Sequence, residues 1–190
     1  MPAVLPEEEV QREYQILQKA RHNPEAFGEL YEKYFDRIFN FIYRQTDDEA
    51  LTADLTSQTF LNALNHLHRF EYRGVPVSAW LYRIAANEVN KYYRKKKRTR
   101  VFSLEEIKIK ELISQRAEVV DEDQLQRMLK YLKELPTDML EVLMLRFFED
   151  KDFKEIAYIL GITESGAKMR TYRALDKLRK KFNLKLKYNG

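Results

Sequence analysis

Apolar residues in the first half of this chain recur at spacings of three and four, not two. The clearest run is Phe27, Leu30, Tyr31, Tyr34, Phe35, Ile38, Phe41 and Ile42. It keeps the i, i+3, i+4, i+7 rhythm of one core-facing helix face. Asn23-Pro24-Glu25 stands at its entry, with Asn suited to the N-cap and Pro to the first helical position. Thr46-Asp47-Asp48 breaks the rhythm and opens a helix over about 48–67, with apolar positions Leu51, Leu55, Phe60, Leu64 and Leu67. An amphipathic helix over 7–21, led by Glu7, Glu8 and Glu9, precedes both. The segment from His68 to Pro76 holds Gly74 and Pro76 and reads as a loop. A long helix over about 77–97 follows, with Leu81, Ile84, Ala85 and Tyr92 on its buried side. Arg83, Asn87, Asn90, Lys91 and Arg94 fall at i, i+4, i+7, i+8 and i+11 and form one polar stripe.

Residues 99–123 lose this periodicity and alternate charges, the pattern of a linker with room for a short helix over 104–115. Periodicity returns at Leu125, Met128, Leu129, Leu132 and Leu135, and Pro136 opens a helix over about 137–149. Asp152-x-x-Glu155 has the form of a capping box. It starts a short helix that ends at Gly161 before a basic helix over 164–182. Helix, glycine turn and second basic helix are the plan of a helix-turn-helix. On the last helix Ala167, Thr171, Ala174, Leu175 and Leu178 share one face, expected to pack on Ile156, Ala157 and Leu160. Ser165, Met169, Tyr172 and Arg173 look outward, flanked by Lys168, Arg170 and Lys177. The predicted fold class is all-α, as two small helical domains joined by a linker.

Composition narrows the function. A chain of 190 residues is long enough for one domain or two small ones. With 44% hydrophobic and 34% charged residues it can build a core, and only 5 Gly and 5 Pro argue against a loop-rich β fold. The absence of cysteine excludes disulfides, thiol catalysis and cysteine-ligated zinc. No hydrophobic signal segment appears, and no apolar run reaches the ~18 residues of a membrane span. The expectation is a cytoplasmic protein without membrane insertion. The net charge of +4 is strongly segregated. Residues 91–100 carry seven Lys or Arg and no acid, and residues 168–187 carry nine against Asp176 alone. The remainder is net −11. Two basic regions suit a polyanion, and the acidic remainder suits a different partner.

Each constellation has a plainer reading beside the functional one. An exposed Arg on the last helix can donate a bidentate pair to guanine, while flanking lysines suit phosphates. The plainer reading is a solvated basic face. On helix 77–97 the two asparagines lie among cations, with Phe70, Tyr72, Trp80, Tyr82, Tyr92 and Tyr93 nearby. Amides and aromatic faces beside a basic track suit unstacked bases. Here the plainer reading is aromatic core, which for Trp80 alone is the stronger one. His66 and His68 fall on different faces of a helix and have no third ligand. No phosphate-binding glycine loop and no acid/base pair is visible, so no catalytic residue, metal or cofactor is assigned. Asp54 and Gln58, at i and i+4, read by themselves as a solubilising face.

The residues resemble the bacterial sigma-70-type sigma factors of the short extracytoplasmic-function (ECF) group. Ala53-Asp54-Leu55-Thr56-Ser57-Gln58-Thr59-Phe60-Leu61-Asn62-Ala63-Leu64 is similar to region 2.2. Phe70 through Trp80-Leu81-Tyr82-Arg83-Ile84-Ala85-Ala86-Asn87 is similar to regions 2.3 and 2.4, with the W-L-x-x-I-A-x-N signature. Leu135-Pro136, Glu155-Ile156-Ala157, Leu160-Gly161-Ile162 and Lys168-x-Arg170-x-x-Arg173-Ala174 are similar to region 4. The resemblance covers about residues 20–183. It implies a non-catalytic initiation subunit that binds core RNA polymerase and promoter DNA, as one copy within the holoenzyme. An anti-sigma factor is a further partner that it implies.

Carried over residue by residue, the resemblance implies a −10 strand contact by Asn87, Asn90, Lys91 and Arg94, with Arg83 and Trp80 on the same helix. It implies capture of a flipped base by the loop 69–76, which holds Phe70, Tyr72 and Arg73. It implies −35 reading by Ser165, Lys168, Met169, Arg170, Tyr172, Arg173 and Lys177. It implies polymerase docking by Asp54, Ser57, Gln58 and Leu61. Two departures stand out. Ser57 and Gln58 occupy the positions of the family's frequent Gln and Glu. Ser165-Gly166-Ala167 stands in place of a frequent G-T-V, so a Gly enters the first turn of the recognition helix. The implied domains are an extension over 1–19, a region 2-like domain over 20–98, a linker over 99–123, a region 4-like domain over 124–184 and a tail over 185–190. The rival is a stand-alone helix-turn-helix regulator. It would dimerise to place two recognition helices about one helical turn of DNA apart, and no heptad seam supports that.

Overall fold

The computed structural model describes residues 6–97, Arg100, Phe102 and residues 122–182. The short helix expected over 104–115, most of the linker 99–123 and the terminal segments 1–5 and 183–190 lie outside the described residues. Among the described residues all regular structure is helical, and the chain forms two compact units. The first contains α1 (Glu7–Ala20), α2 (Gly28–Thr46), α3 (Glu49–Asn65) and α4 (Val77–Lys96). The second is built around α5 (Glu122–Glu134), α6 (Thr137–Phe147) and α8 (Glu164–Phe182), with α7 (Phe153–Leu160) between α6 and α8 in the chain.

In the first unit α2 packs along α3, and α3 along α4. The entry to α2 is tighter than the sequence suggests. Asn23 Oδ1 accepts from the Glu25 N–H at 3.2 Å, but Pro24–Phe27 form a 3-10 turn before the α-helix starts at Gly28. Such turns are frequent at helix starts, and this one places Phe27 in the core. Asp47 ends α2 in the left-handed region at φ 51°, and Asp48 Oδ1 caps α3 through the Leu51 N–H at 3.0 Å.

The buried face of α3 differs from the expected leucine stripe. Leu51 and Leu64 are half-buried, whereas Thr52, Thr56, Thr59 and Ala63 are buried with Leu55 and Phe60. Threonine fits a core when its hydroxyl bonds back to the carbonyl four residues earlier. Thr52 and Thr59 do so at 2.7 Å, to Asp48 and Leu55. Tyr31, expected in the buried stripe of α2, is 42% exposed, with its ring 4.8 Å from that of Phe60. It lies at the edge of the stripe, where a tyrosine keeps its hydroxyl wet and its ring packed. On α4, Ile84 and Tyr92 are half-buried, and Ala86, Val89 and Tyr93 fill the core beside Leu81 and Ala85.

Helix α1, the amphipathic helix expected over 7–21, is tied into this unit. Ile16, Leu17 and Ala20 are buried. Arg21 donates to the Leu67 carbonyl at 3.2 Å and to the Phe70 carbonyl at 2.8 Å. Glu13 is buried and accepts from Lys33 Nζ at 2.6 Å and from the Tyr34 hydroxyl.

The core of the second unit joins Met128, Leu129, Leu132 and Leu135 to Leu143, Phe148, Ala174, Leu175 and Leu178. The buried face of α8 thus packs on α5 and α6. The capping box is reciprocal. The Glu155 N–H donates to Asp152 Oδ1 at 2.7 Å, and the Asp152 N–H to Glu155 Oε2 at 3.1 Å. Gly161 then turns the chain at φ +66°. A Cβ there would meet nothing within 4 Å, so only the backbone opposes a side chain. Gly161→Ala is expected to destabilise the turn between α7 and α8 by about 1 kcal/mol, and Gly161→Asn by less, read as shifts in the unfolding midpoint of the full chain.

Candidate nucleic-acid interface

The second helix of the turn begins with a side-chain cap. Thr163 Oγ1 accepts from the Gly166 N–H at 3.0 Å, and the helix starts at Glu164. A Cβ at Gly166 would stand 3.0 Å from that same oxygen. The glycine in the first turn therefore gives the capping hydroxyl room, and its helix-weakening effect is offset by the cap. From this start Ser165, Met169, Tyr172, Arg173 and Lys177 are exposed, with Met169 at 49% and Tyr172 at 37%. Lys168 and Arg170 are half-buried and already paired: Lys168 with Glu164 at 2.8 Å, Arg170 with Asp138 at 3.7 Å. The hydrogen bond to Glu164 holds the Lys168 ammonium above the usual lysine range. Arg173 and Lys177 have no ion-pair partner among the described residues.

Phe153, which the sequence reading passed over, anchors this surface. Its ring centroid lies 4.8 Å from the Arg146 guanidinium carbon and 5.8 Å from Lys168 Nζ. The Tyr172 ring is 6.2 Å away, at 64°. Its available signal was position: an aromatic directly after the cap Asp152, at the first residue of a helix.

On the first unit Asn87, Asn90, Lys91 and Arg94 line the exposed side of α4, and Arg83 is half-buried. The structure brings this predicted row together. The candidate aromatics divide. Phe70 and Trp80 are buried, 6% and 9% exposed, and pack edge to face with centroids 5.0 Å apart. Tyr72 is 48% exposed. In this arrangement Phe70 and Trp80 expose little ring surface, and Tyr72 carries most of the exposed aromatic area of the loop. Arg73 is exposed and pairs with Glu71 at 3.2 Å. The loop is held from below by Arg21 and by Tyr14, whose ring lies 6.3 Å from Phe70 and 6.0 Å from Tyr72. On α3, Asp54, Ser57, Gln58 and Leu61 are all exposed, Leu61 at 52%. Gln58 bonds to Asn62 at 3.0 Å.

His66 and His68 are exposed, with His66 Nδ1 2.7 Å from the Asn62 carbonyl. Among the described residues no group of three His, Cys, Asp or Glu could hold a metal, and no helix is long and apolar enough to cross a membrane. What the two surfaces offer is hydrogen-bond donors, amides and cations.

Comparison with known proteins places both surfaces within matched segments. The family model for Sigma-70 region 2 matches residues 30–99, and that for Sigma-70, region 4 matches residues 131–180. The chain is 30% identical to the RNA polymerase sigma factor YlaC of Bacillus subtilis, over 82% of this chain and 91% of that protein. It is 32% identical to the ECF RNA polymerase sigma factor BldN of Streptomyces coelicolor, over 81% of this chain but 59% of that protein. Among solved structures it is similar to the sigma factor RpoE of Bartonella quintana, in a co-crystal with the anti-sigma factor NepR. There the TM-score is 0.60 and the identity 21%, over 81% of this chain and 94% of that one, a likeness of fold.

Proposed function

Since the chain belongs to the sigma-70 family of RNA polymerase sigma factors, in its ECF group, we propose that it is a cytoplasmic promoter-specificity factor. It binds core RNA polymerase and directs it to promoters, and it contributes recognition, not catalysis. The observation that carries this reading is the pairing, in one chain, of two unlike exposed surfaces. One is a helix-turn-helix with Met169, Tyr172 and Arg173 outward, and the other is the amide-and-cation row of α4.

The roles divide accordingly. Residues 124–184 read the −35 element as duplex, with Ser165, Met169, Tyr172 and Arg173 toward base edges and Lys177 toward phosphate. Lys168 and Arg170 reach phosphates by exchanging Glu164 and Asp138 for the DNA. Residues 20–98 engage the melted −10 strand through Arg83, Asn87, Asn90, Lys91 and Arg94, with Tyr72 and Arg73 at the loop. Phe70 and Trp80 act there from beneath, as the support of that loop. Asp54, Ser57, Gln58 and Leu61 dock on the polymerase. The residues 99–123 join the two units so that two weak sites act together through effective concentration. An anti-sigma factor that covers one of these surfaces is the regulatory partner this reading accommodates.

Run-off transcription with the purified chain, sigma-free core polymerase and a set of upstream regions tests the proposal. A discrete transcript that requires the chain is expected. No transcript, with no co-purification with core, would sink the reading and favour a stand-alone regulator.

A further inference from the structure

Helix α4 carries a single acid, Glu88, in the middle of a row otherwise made of amides and cations. On a surface that meets nucleic acid, a free carboxylate there would repel phosphates. This one is turned inward, its side chain only 12% exposed, and both of its oxygens are engaged. Asn62 of α3 donates its Nδ2 to Oε1 at 2.9 Å. Lys91, one turn along α4, donates its Nζ to Oε2 at 3.5 Å. The Asn62 amide is used at its other end too, where its Oδ1 accepts from Gln58 Nε2 at 3.0 Å. A continuous chain of contacts thus runs from Gln58 on the exposed face of α3, through Asn62 and Glu88, to Lys91 on the exposed face of α4.

We propose that Glu88 is a positioning residue for the −10 strand, which holds Lys91 in the strand-facing row and joins that row through Asn62 to Gln58 on the docking face. This rests on the sigma-factor reading and deepens it. A lysine ammonium has three donors, so one bond to Glu88 leaves two for the strand. A side chain biased toward one position by a partner loses less rotamer freedom on binding. The link also gives the two faces a physical route to each other. By linkage, whatever polymerase docking does to strand affinity, the strand does to docking.

The test uses whole holoenzyme on a promoter that the wild type opens, with open-complex formation read by permanganate reactivity of the melted strand. Glu88→Leu is expected to lower opening roughly fivefold, a coupling of ordinary size for contacting residues. In the Lys91→Ala background the same change is expected to have little further effect. Asn62→Leu, which cuts the tether from the other side, is expected to act in the same direction and to be non-additive with Glu88→Leu. A purely repulsive acid predicts the opposite sign, so increased or unchanged opening in Glu88→Leu overturns the proposal. So does a loss that persists undiminished in the Lys91→Ala background together with a lowered unfolding midpoint, the mark of a structural role. Wild-type holoenzyme that opens no promoter overturns the initiation reading and this proposal with it. Wild-type opening with an unimpaired Glu88→Leu overturns this proposal alone.

Discussion

Arg173→Ala is expected to abolish preference at one base pair of the −35 element, a loss of discrimination of about 1–3 kcal/mol. The argument is one of availability. Arg173 is exposed and lies beside Met169 and Tyr172 on the outward face of α8. It is free of ion pairs among the described residues, whereas Lys168 and Arg170 are held by Glu164 and Asp138. A guanidinium that has no acid to leave brings its full donor fork to a guanine edge. Lys168 and Arg170 give up a partner when they bind, so their net contribution is smaller and screened by salt. Lys177→Ala is the contrasting variant: it should weaken all sequences alike and flatten the salt dependence by about one unit of slope. Transcription by holoenzyme from a library randomised over the −35 element reads both. Uniform loss in Arg173→Ala, with preference intact, would place this arginine on phosphate instead.

What was legible in the sequence depended on how local the physics is. The capping box at Asp152 and Glu155 is spelled by residue type and spacing, and both of its bonds form. The α4 row follows from a 3.6-residue period alone. Thr52 and Thr59 in the α3 core were not legible, because a hydrophobicity pattern counts the hydroxyl and not the carbonyl that satisfies it. Arg21 on the Phe70 carbonyl, Tyr93 on the Gln45 carbonyl and Asn62 on Glu88 join residues 49, 48 and 26 apart. Such bonds exist only once the helices have packed. Phe70 and Trp80 were ambiguous for the same reason. An aromatic near a basic helix suits a base or a core, and the burial and edge-to-face contact of this pair arise only once the loop and α4 have packed.

The buried acid of α1 is expected to carry the largest stability effect in the first unit. Glu13 is 2% exposed, and Tyr34, whose hydroxyl it accepts, is fully buried. Burial, then the Glu13 carboxylate, pushes that hydroxyl far above the usual phenol range, so it stays a donor. Burial pulls the Lys33 ammonium down, but its bonds to Glu13 and Glu9 outweigh this and leave it raised. Lys33 therefore contributes stability below the usual lysine range that is lost as pH rises through its raised value. Glu13→Leu leaves a buried phenol with no acceptor and removes one of the two acids that hold Lys33. The expected cost is about 3 kcal/mol. Glu13 Oε2 has no hydrogen-bond partner among the described residues, so the wild-type arrangement is itself imperfectly satisfied. Adding Tyr34→Phe to Glu13→Leu should therefore recover much of the loss, since an apolar pair of similar volume can replace a buried polar one. Denaturant unfolding of the full chain checks this, with probes in each unit because two units need not unfold together. The first unit's midpoint should fall in the single variant and rise again in the double, while the second unit's stays put. A double variant as unstable as the single would mean that Glu13 holds α1 through Lys33 and not through Tyr34.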